Sequence, residues 1–168
     1  MMTHMPDRPS QLWKHMSADQ RLAAADAFWR EDQNDIELQH ADAVVTLAKR
    51  LNFRTKSVRA LPVERRARLL AQLSDVSDPV ATRALISYHF MTRRDLMAAF
   101  LDALGIAHEN GLISDEAVPP PSRDRLVAAM AKLRETFSAA DVDLYMRTLA
   151  TLDGDTWAEL DAALTPAN

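Results

Sequence analysis

Residues 17–29 read SADQRLAAADAFW, and this stretch decides the fold class. Ser17 can accept a hydrogen bond from the backbone N–H of Gln20, and the Gln20 side chain can reach back to the N–H of Ser17. This reciprocal pair is a capping box, the signature of a helix start. Behind it, Leu22, Ala25, Phe28 and Trp29 recur at helical spacing, so one stripe of the helix is apolar.

The same pattern repeats outward. A short helix is expected from Pro9, carrying Leu12, Trp13 and Met16, with residues 1–8 as a disordered tail. Downstream, Asn34 is placed as a helix cap, with Glu37 at the third position. Ile36, His40, Ala43, Val44, Leu47 and Leu51 then follow at helical spacing. A turn or short helix is expected at 55–60. Pro62 suits the first position of a helix running to about Leu73, because its missing N–H costs nothing there. Asp78-Pro79 opens another, with Val80, Ala84, Leu85, Tyr88 and Met91. Thr92 is read as the cap of a helix carrying Leu96, Ala99, Phe100 and Ala103, with Asp95 near its positive end and Gly105 as a left-handed stop. Ser122 and Ser138 open two more, and a last short helix holds Trp157, Leu160 and Leu164. No run alternates with period two. The expectation is an all-α, orthogonal or irregular bundle of eight or nine amphipathic helices without a sheet.

Residues 105–121 form the longest irregular segment, with Asn110-Gly111 as a turn signal. Pro119 to Pro121 read as a stiff extended spacer. The expected organisation is a main bundle over 9–118, the spacer 119–121, and a helical subdomain over 122–168 packed on the bundle. Three helical stretches, 66–73, 93–100 and 123–130, share an Arg/Leu/Ala pattern. Their spacing is less regular than that of helical-hairpin repeats, so ordinary amphipathic likeness accounts for them.

Composition agrees. Hydrophobic residues make up 48% of the 168, enough for a chain of this length to bury roughly 70% of its unfolded surface. Only three residues are glycine. The absence of cysteine excludes a disulfide scaffold, thiol catalysis and Cys-based metal sites. The opening residues, MMTHMPDRPS, hold no apolar stretch of signal-peptide length, and no run reaches the roughly 18 apolar residues of a membrane span. The expected location is therefore the cytoplasm. Arginine outnumbers lysine 16 to 4, a ratio that GC-rich coding, common in bacteria, produces.

Charge is the most uneven feature. The net charge is −4, yet residues 49–68 carry eight basic groups against one acidic residue. The basic groups are Lys49, Arg50, Arg54, Lys56, Arg59, Arg65, Arg66 and Arg68; the acid is Glu64. Such an island can bind an acidic protein surface or a phosphate backbone. Alternatively, Asp32, Asp35 and Asp42 could neutralise it within the fold. Nucleic acid is the less favoured partner, because the chain is acidic overall and only Phe53 interleaves an aromatic ring with the cations.

Catalytic patterns are sparse. There is no Gly-rich phosphate loop, nucleophile elbow or zinc-protease helix. Glu37 and His40 have the helical spacing of a carboxylate-bundle metal pair, but a second pair is lacking. A metal site or small helical enzyme using His40 with His15 or His89 is the alternative from another class. In the long loop, His108 and Glu109 could serve as acid and base beside a pocket, with Asn110 next to them. Asp153-Gly154-Asp155 lacks the remaining ligands of a calcium loop. Met91, Met97 and Met130 could line an adaptable groove, or pack in the core. An exposed Trp13, Trp29 or Trp157 would mark an interface. The expected function is a non-enzymatic protein-binding or regulatory module, without a cofactor, that uses the basic segment 49–68.

Overall fold

A computed structural model describes residues 7–32, 35–114 and 118–164. Over these residues the chain is helical, with ten helices and one small hairpin. The expected Asn34 cap and most of the expected tail lie outside the described residues. Among those described, no helix is long and apolar enough to cross a membrane. Compactness divides the chain between Thr92 and Arg93. The sequence expectation placed the internal boundary at Pro119–Pro121.

The first compact unit spans Arg8–Thr92. Its helices are α1 (Pro9–His15), α2 (Ala18–Arg30), α3 (Glu37–Leu51), α4 (Thr55–Arg59), α5 (Val63–Ala71) and α6 (Asp78–Thr92). The capping box forms as read: the Gln20 N–H donates to Ser17 Oγ and the Ser17 N–H donates to Gln20 Oε1, each at 3.1 Å. Helix α2 buries Ala24, Ala25, Ala27, Phe28 and Trp29, and it packs against α5 and α6. The alanines let the neighbouring backbones approach, and the two aromatic rings fill the remaining space. Burying each large apolar side chain contributes about 2 kcal/mol. Leu22, expected in the stripe, is instead 41% exposed; it lies on the shoulder of the helix above a groove described below. Trp13 is fully buried, and its indole N–H donates to the Leu73 carbonyl at 2.8 Å, tying α1 to the end of the α5 segment.

The second unit joins Met1–Asp7 to Arg93–Asn168. It contains α7 (Arg94–Leu104), strands β1 (His108–Glu109) and β2 (Leu112–Ile113), α8 (Arg123–Leu133), α9 (Ala139–Leu152) and α10 (Ala158–Leu164). Phe100 meets Tyr145 edge to face at 5.7 Å and Trp157 at 5.5 Å, and this aromatic group centres the core. Ser122 and Ser138 cap α8 and α9 as expected. Gly105 ends α7 in the left-handed region at φ 69°.

Two local expectations are corrected. Thr92 does not cap α7; its hydroxyl donates to the Tyr88 carbonyl and completes the last turn of α6. The chain is also not wholly without a sheet. His108 pairs with Ile113 and Glu109 with Leu112 in an antiparallel hairpin. Asn110 and Gly111 turn it with φ of 50° and 88°, the two positive angles that a two-residue hairpin turn requires. The strands are too short to show alternation.

Candidate functional site

The basic island lies wholly in the first unit. Lys49 and Arg50 stand on the last turn of α3, which Asn52 closes in the left-handed conformation. Arg54 stands at the N-terminal boundary of α4, and Lys56 and Arg59 lie on the helix. Arg65, Arg66 and Arg68 lie on α5. Seven of the eight are exposed, and Arg66 is half-buried. Among the described residues, none of the eight enters an ion pair.

The acids that could have neutralised the island are engaged elsewhere or stand apart. Glu64 pairs with Arg30 at 3.1 Å, and Arg30 also holds Asp26 at 2.9 Å. The Asp42 carboxylate accepts from the Ser77 hydroxyl at 2.7 Å. Asp32 and Asp35 are exposed and pair with none of the eight cations. Seven of the eight cations therefore face solvent without an ion pair among the described residues, with Asp75 sharing a cleft with Lys49 and Arg50, and Glu64 one with Arg68.

The same unit exposes apolar groups. Leu38 and Val45, seven residues apart on the outer side of α3, are 79% and 42% exposed, and Phe53 beyond the helix is 46% exposed. Clefts open on this unit among the described residues, two of them beside the basic segment. One, of about 360 Å³, is lined by Thr46, Lys49, Arg50, Leu73, Ser74 and Asp75. The other, of about 420 Å³, lies between α2 and α5, with Leu22, Ala23 and Ala67 bordered by Asp19, Asp26, Glu64 and Arg68. Neither cleft is announced by a motif. Leu22 and Ala67 carry helical spacing, but spacing does not say which apolar residues stay uncovered.

Arg66 differs from its neighbours. Its guanidinium carbon sits over the Trp29 ring, 5.0 Å from the centroid. Trp29 packs against Phe28 at 5.0 Å, and His40 meets Phe28 and Trp29 at 4.8 and 5.3 Å. His40 Nε2 lies 2.6 Å from the Phe28 carbonyl oxygen. A carbonyl only accepts, so Nε2 carries the proton. Burial holds the His40 pKa below its ordinary value; the bond to Phe28 opposes this, Arg66 and Arg59 add to it, and Glu31 opposes it weakly. Burial also lowers the pKa of Arg66, with Arg59 adding repulsion.

The other described histidines stand in different surroundings. His15 is exposed, and His89 is buried with Nδ1 2.9 Å from the Leu85 carbonyl oxygen. Among the described residues, no three histidine, aspartate or glutamate side chains converge as a metal-binding group. His108 Nε2 lies 2.7 Å from Asp102 Oδ1, and its Nδ1 accepts from the Gly111 N–H at 3.1 Å. Both ring nitrogens thus hold the hairpin in place. Glu109 is exposed, and the Asn110 carbonyl accepts from Arg94 at 3.2 Å. Met97 and Met130 are buried, whereas Met91 is 47% exposed. Trp13, Trp29 and Trp157 are all buried, so none presents an exposed ring. Comparison with known protein families, with curated proteins and with solved structures finds no match for this chain.

Proposed function

We propose that this protein is a non-enzymatic docking module that binds an acidic protein surface through the cationic face of α3, α4 and α5. One observation carries the reading: seven exposed cations and one half-buried cation share a short segment, and none is paired with a carboxylate among the described residues. Unpaired like charges this close along the chain repel, and an acidic partner relieves that repulsion while speeding encounter. The exposed Leu38, Val45 and Phe53 favour a protein over nucleic acid. A partner protein can cover them with apolar side chains, whereas a phosphate backbone offers no match for Leu38 and Val45.

The test compares the wild type with a variant carrying Arg54→Glu, Lys56→Glu and Arg59→Glu. Fluorescence anisotropy is read with a labelled oligoglutamate peptide and with labelled duplex DNA and single-stranded RNA, across a salt series. The peptide should bind the wild type, and the reversed variant should lose at least about tenfold in affinity at low salt while remaining folded. Tighter binding of DNA or RNA than of the peptide, with a steep salt slope, would replace the reading with nucleic-acid binding. No binding of any probe rejects the cationic face as a docking surface.

A further inference from the structure

We infer that Arg66, laid on the Trp29 ring and flanked by Arg59, is the anchor of the cationic face and takes one carboxylate of an acidic side chain in its partner. This deepens the docking reading and rests on it.

The case begins with two unsatisfied donors. Arg66 Nε and Trp29 Nε1 are both buried and have no hydrogen-bond partner. Trp29 is only 5% exposed. Buried N–H groups are almost always paired, so two adjacent orphans call for an acceptor supplied from outside the chain. The missing group must accept only. It must also tolerate guanidinium groups, because Arg59 is close enough to Arg66 to repel it. An oxyanion meets both conditions.

Arg66 could have extended into water like the seven cations around it. Instead its guanidinium carbon lies over an indole ring, 5.0 Å from the centroid. The ring contact restricts the half-buried guanidinium, and a guanidinium fork matches the two oxygens of a carboxylate. Arg21 and Arg93 also have an unpartnered Nε, but they are otherwise served: an Arg21 terminal nitrogen reaches the Leu73 carbonyl at 3.5 Å, and Arg93 reaches Asp141 at 3.5 Å. Arg66 has neither kind of partner among the described residues; Arg83 shares that state, and what distinguishes Arg66 is the Trp29 ring beside it with a second unpartnered N–H. A carboxylate is favoured over phosphate because one oriented fork and one indole N–H suit a planar, singly charged group.

The experiment measures binding of a labelled oligoglutamate peptide to four proteins: wild type, Arg66→Lys, Trp29→Phe, and a control carrying Arg54→Gln and Lys56→Gln. Arg66→Lys keeps the charge and loses the planar fork, so affinity should fall roughly tenfold. Trp29→Phe keeps an aromatic platform and loses the N–H, so affinity should fall about fivefold. The control should lose only a few-fold, in a salt-dependent way. Circular dichroism and the melting temperature establish folding. Should Trp29→Phe fail to fold, the half-exposed Arg66 leaves Arg66→Lys decisive. Unchanged affinity in Arg66→Lys beside weakened binding in the control overturns the anchor and leaves the docking face standing. A wild type that does not bind the peptide overturns the docking face itself. Competition with acetate and with inorganic phosphate supplies the last arm: acetate displacing the peptide at least as well as phosphate supports a carboxylate site, and clear preference for phosphate overturns that assignment.

Discussion

The Asp78 carboxylate accepts the backbone N–H of Ser10 at 3.0 Å, so the first residue of α6 caps the first turn of α1 from across the sequence. The same carboxylate holds the Arg8 guanidinium. One anion thus satisfies an unpaired N–H at the start of α1 and also stands at the positive end of its own helix. The hydrogen bonds to Ser10 and Arg8 hold the Asp78 pKa down, from 3.8 to about 2.

A lowered carboxylate pKa stabilises the folded state above the unfolded value. That contribution is lost as pH falls through the folded value. Asp78→Asn should therefore lower the melting temperature by a few degrees at neutral pH, and the gap between variant and wild type should close between pH 3.8 and about 2. Thermal unfolding across that range checks it. A gap that persists unchanged at the acid end would show that the carboxylate's charge plays no part.

Gly111 makes the clearest backbone prediction. Its φ is 88°, and a Cβ built there would lie 2.9 Å from the Met97 Cβ and 3.3 Å from the Arg94 carbonyl oxygen. Gly111→Ala incurs both left-handed strain and a clash with α7, together about 2–4 kcal/mol. Gly105 has a similar φ of 69° with open space around it, so Gly105→Ala should cost only about 1 kcal/mol. Urea unfolding of the two variants should give that order. Equal losses would mean that α7 yields readily to the added methyl group.

How far the sequence could be read follows from range. Ser17 with Gln20, Ser122, Ser138 and Gly105 act within one turn, and each does what its local chemistry requires. Thr92 misled because a hydroxyl can bond forward as a cap or back to the preceding turn, and the neighbours of Tyr88 decide which. The eight cations were plain in the sequence, but their lack of ion pairs among the described residues was not. Glu64 sits among them and pairs with Arg30, a residue 34 positions away. The stack of Arg66 on Trp29 was hidden for the same reason: it joins α2 to α5, and no spacing along the chain encodes it.

The hairpin fixes a tautomer. His108 Nδ1 accepts from the Gly111 N–H, and Nε2 faces the Asp102 carboxylate. The neutral ring must therefore carry its proton on Nε2. Nitrogen-15 chemical shifts of the imidazole at neutral pH should show a protonated Nε2 and a bare Nδ1. Asp102→Asn, which keeps an acceptor oxygen but loses the charge, should leave that pattern in place. His108→Ala should loosen the turn and speed amide exchange at Gly111. A protonated Nδ1 would break the bond that closes the hairpin, and would return His108 to the pool of candidate acid–base groups.

His40 gives the last prediction, and its sign differs from that of an exposed histidine. Burial beside Phe28 and Trp29 disfavours the charged ring, and Arg66 and Arg59 add repulsion. The Phe28 carbonyl and, more weakly, Glu31 oppose the shift without reversing it. The folded pKa lies below 6.5, the ordinary value of an imidazole and that of the unfolded chain. As pH falls below 6.5, the unfolded chain takes up this proton before the folded one does, so stability declines toward acid. His40→Gln keeps a donor for the Phe28 carbonyl and removes the titration. The variant should thus lose the part of the wild-type stability slope that lies just below pH 6.5, even if it is less stable throughout. Urea unfolding of both proteins from pH 7.5 to 5 measures that slope. Matching slopes would mean that His40 binds its proton equally well in both states, and would remove the positive field of Arg59 and Arg66 from the account.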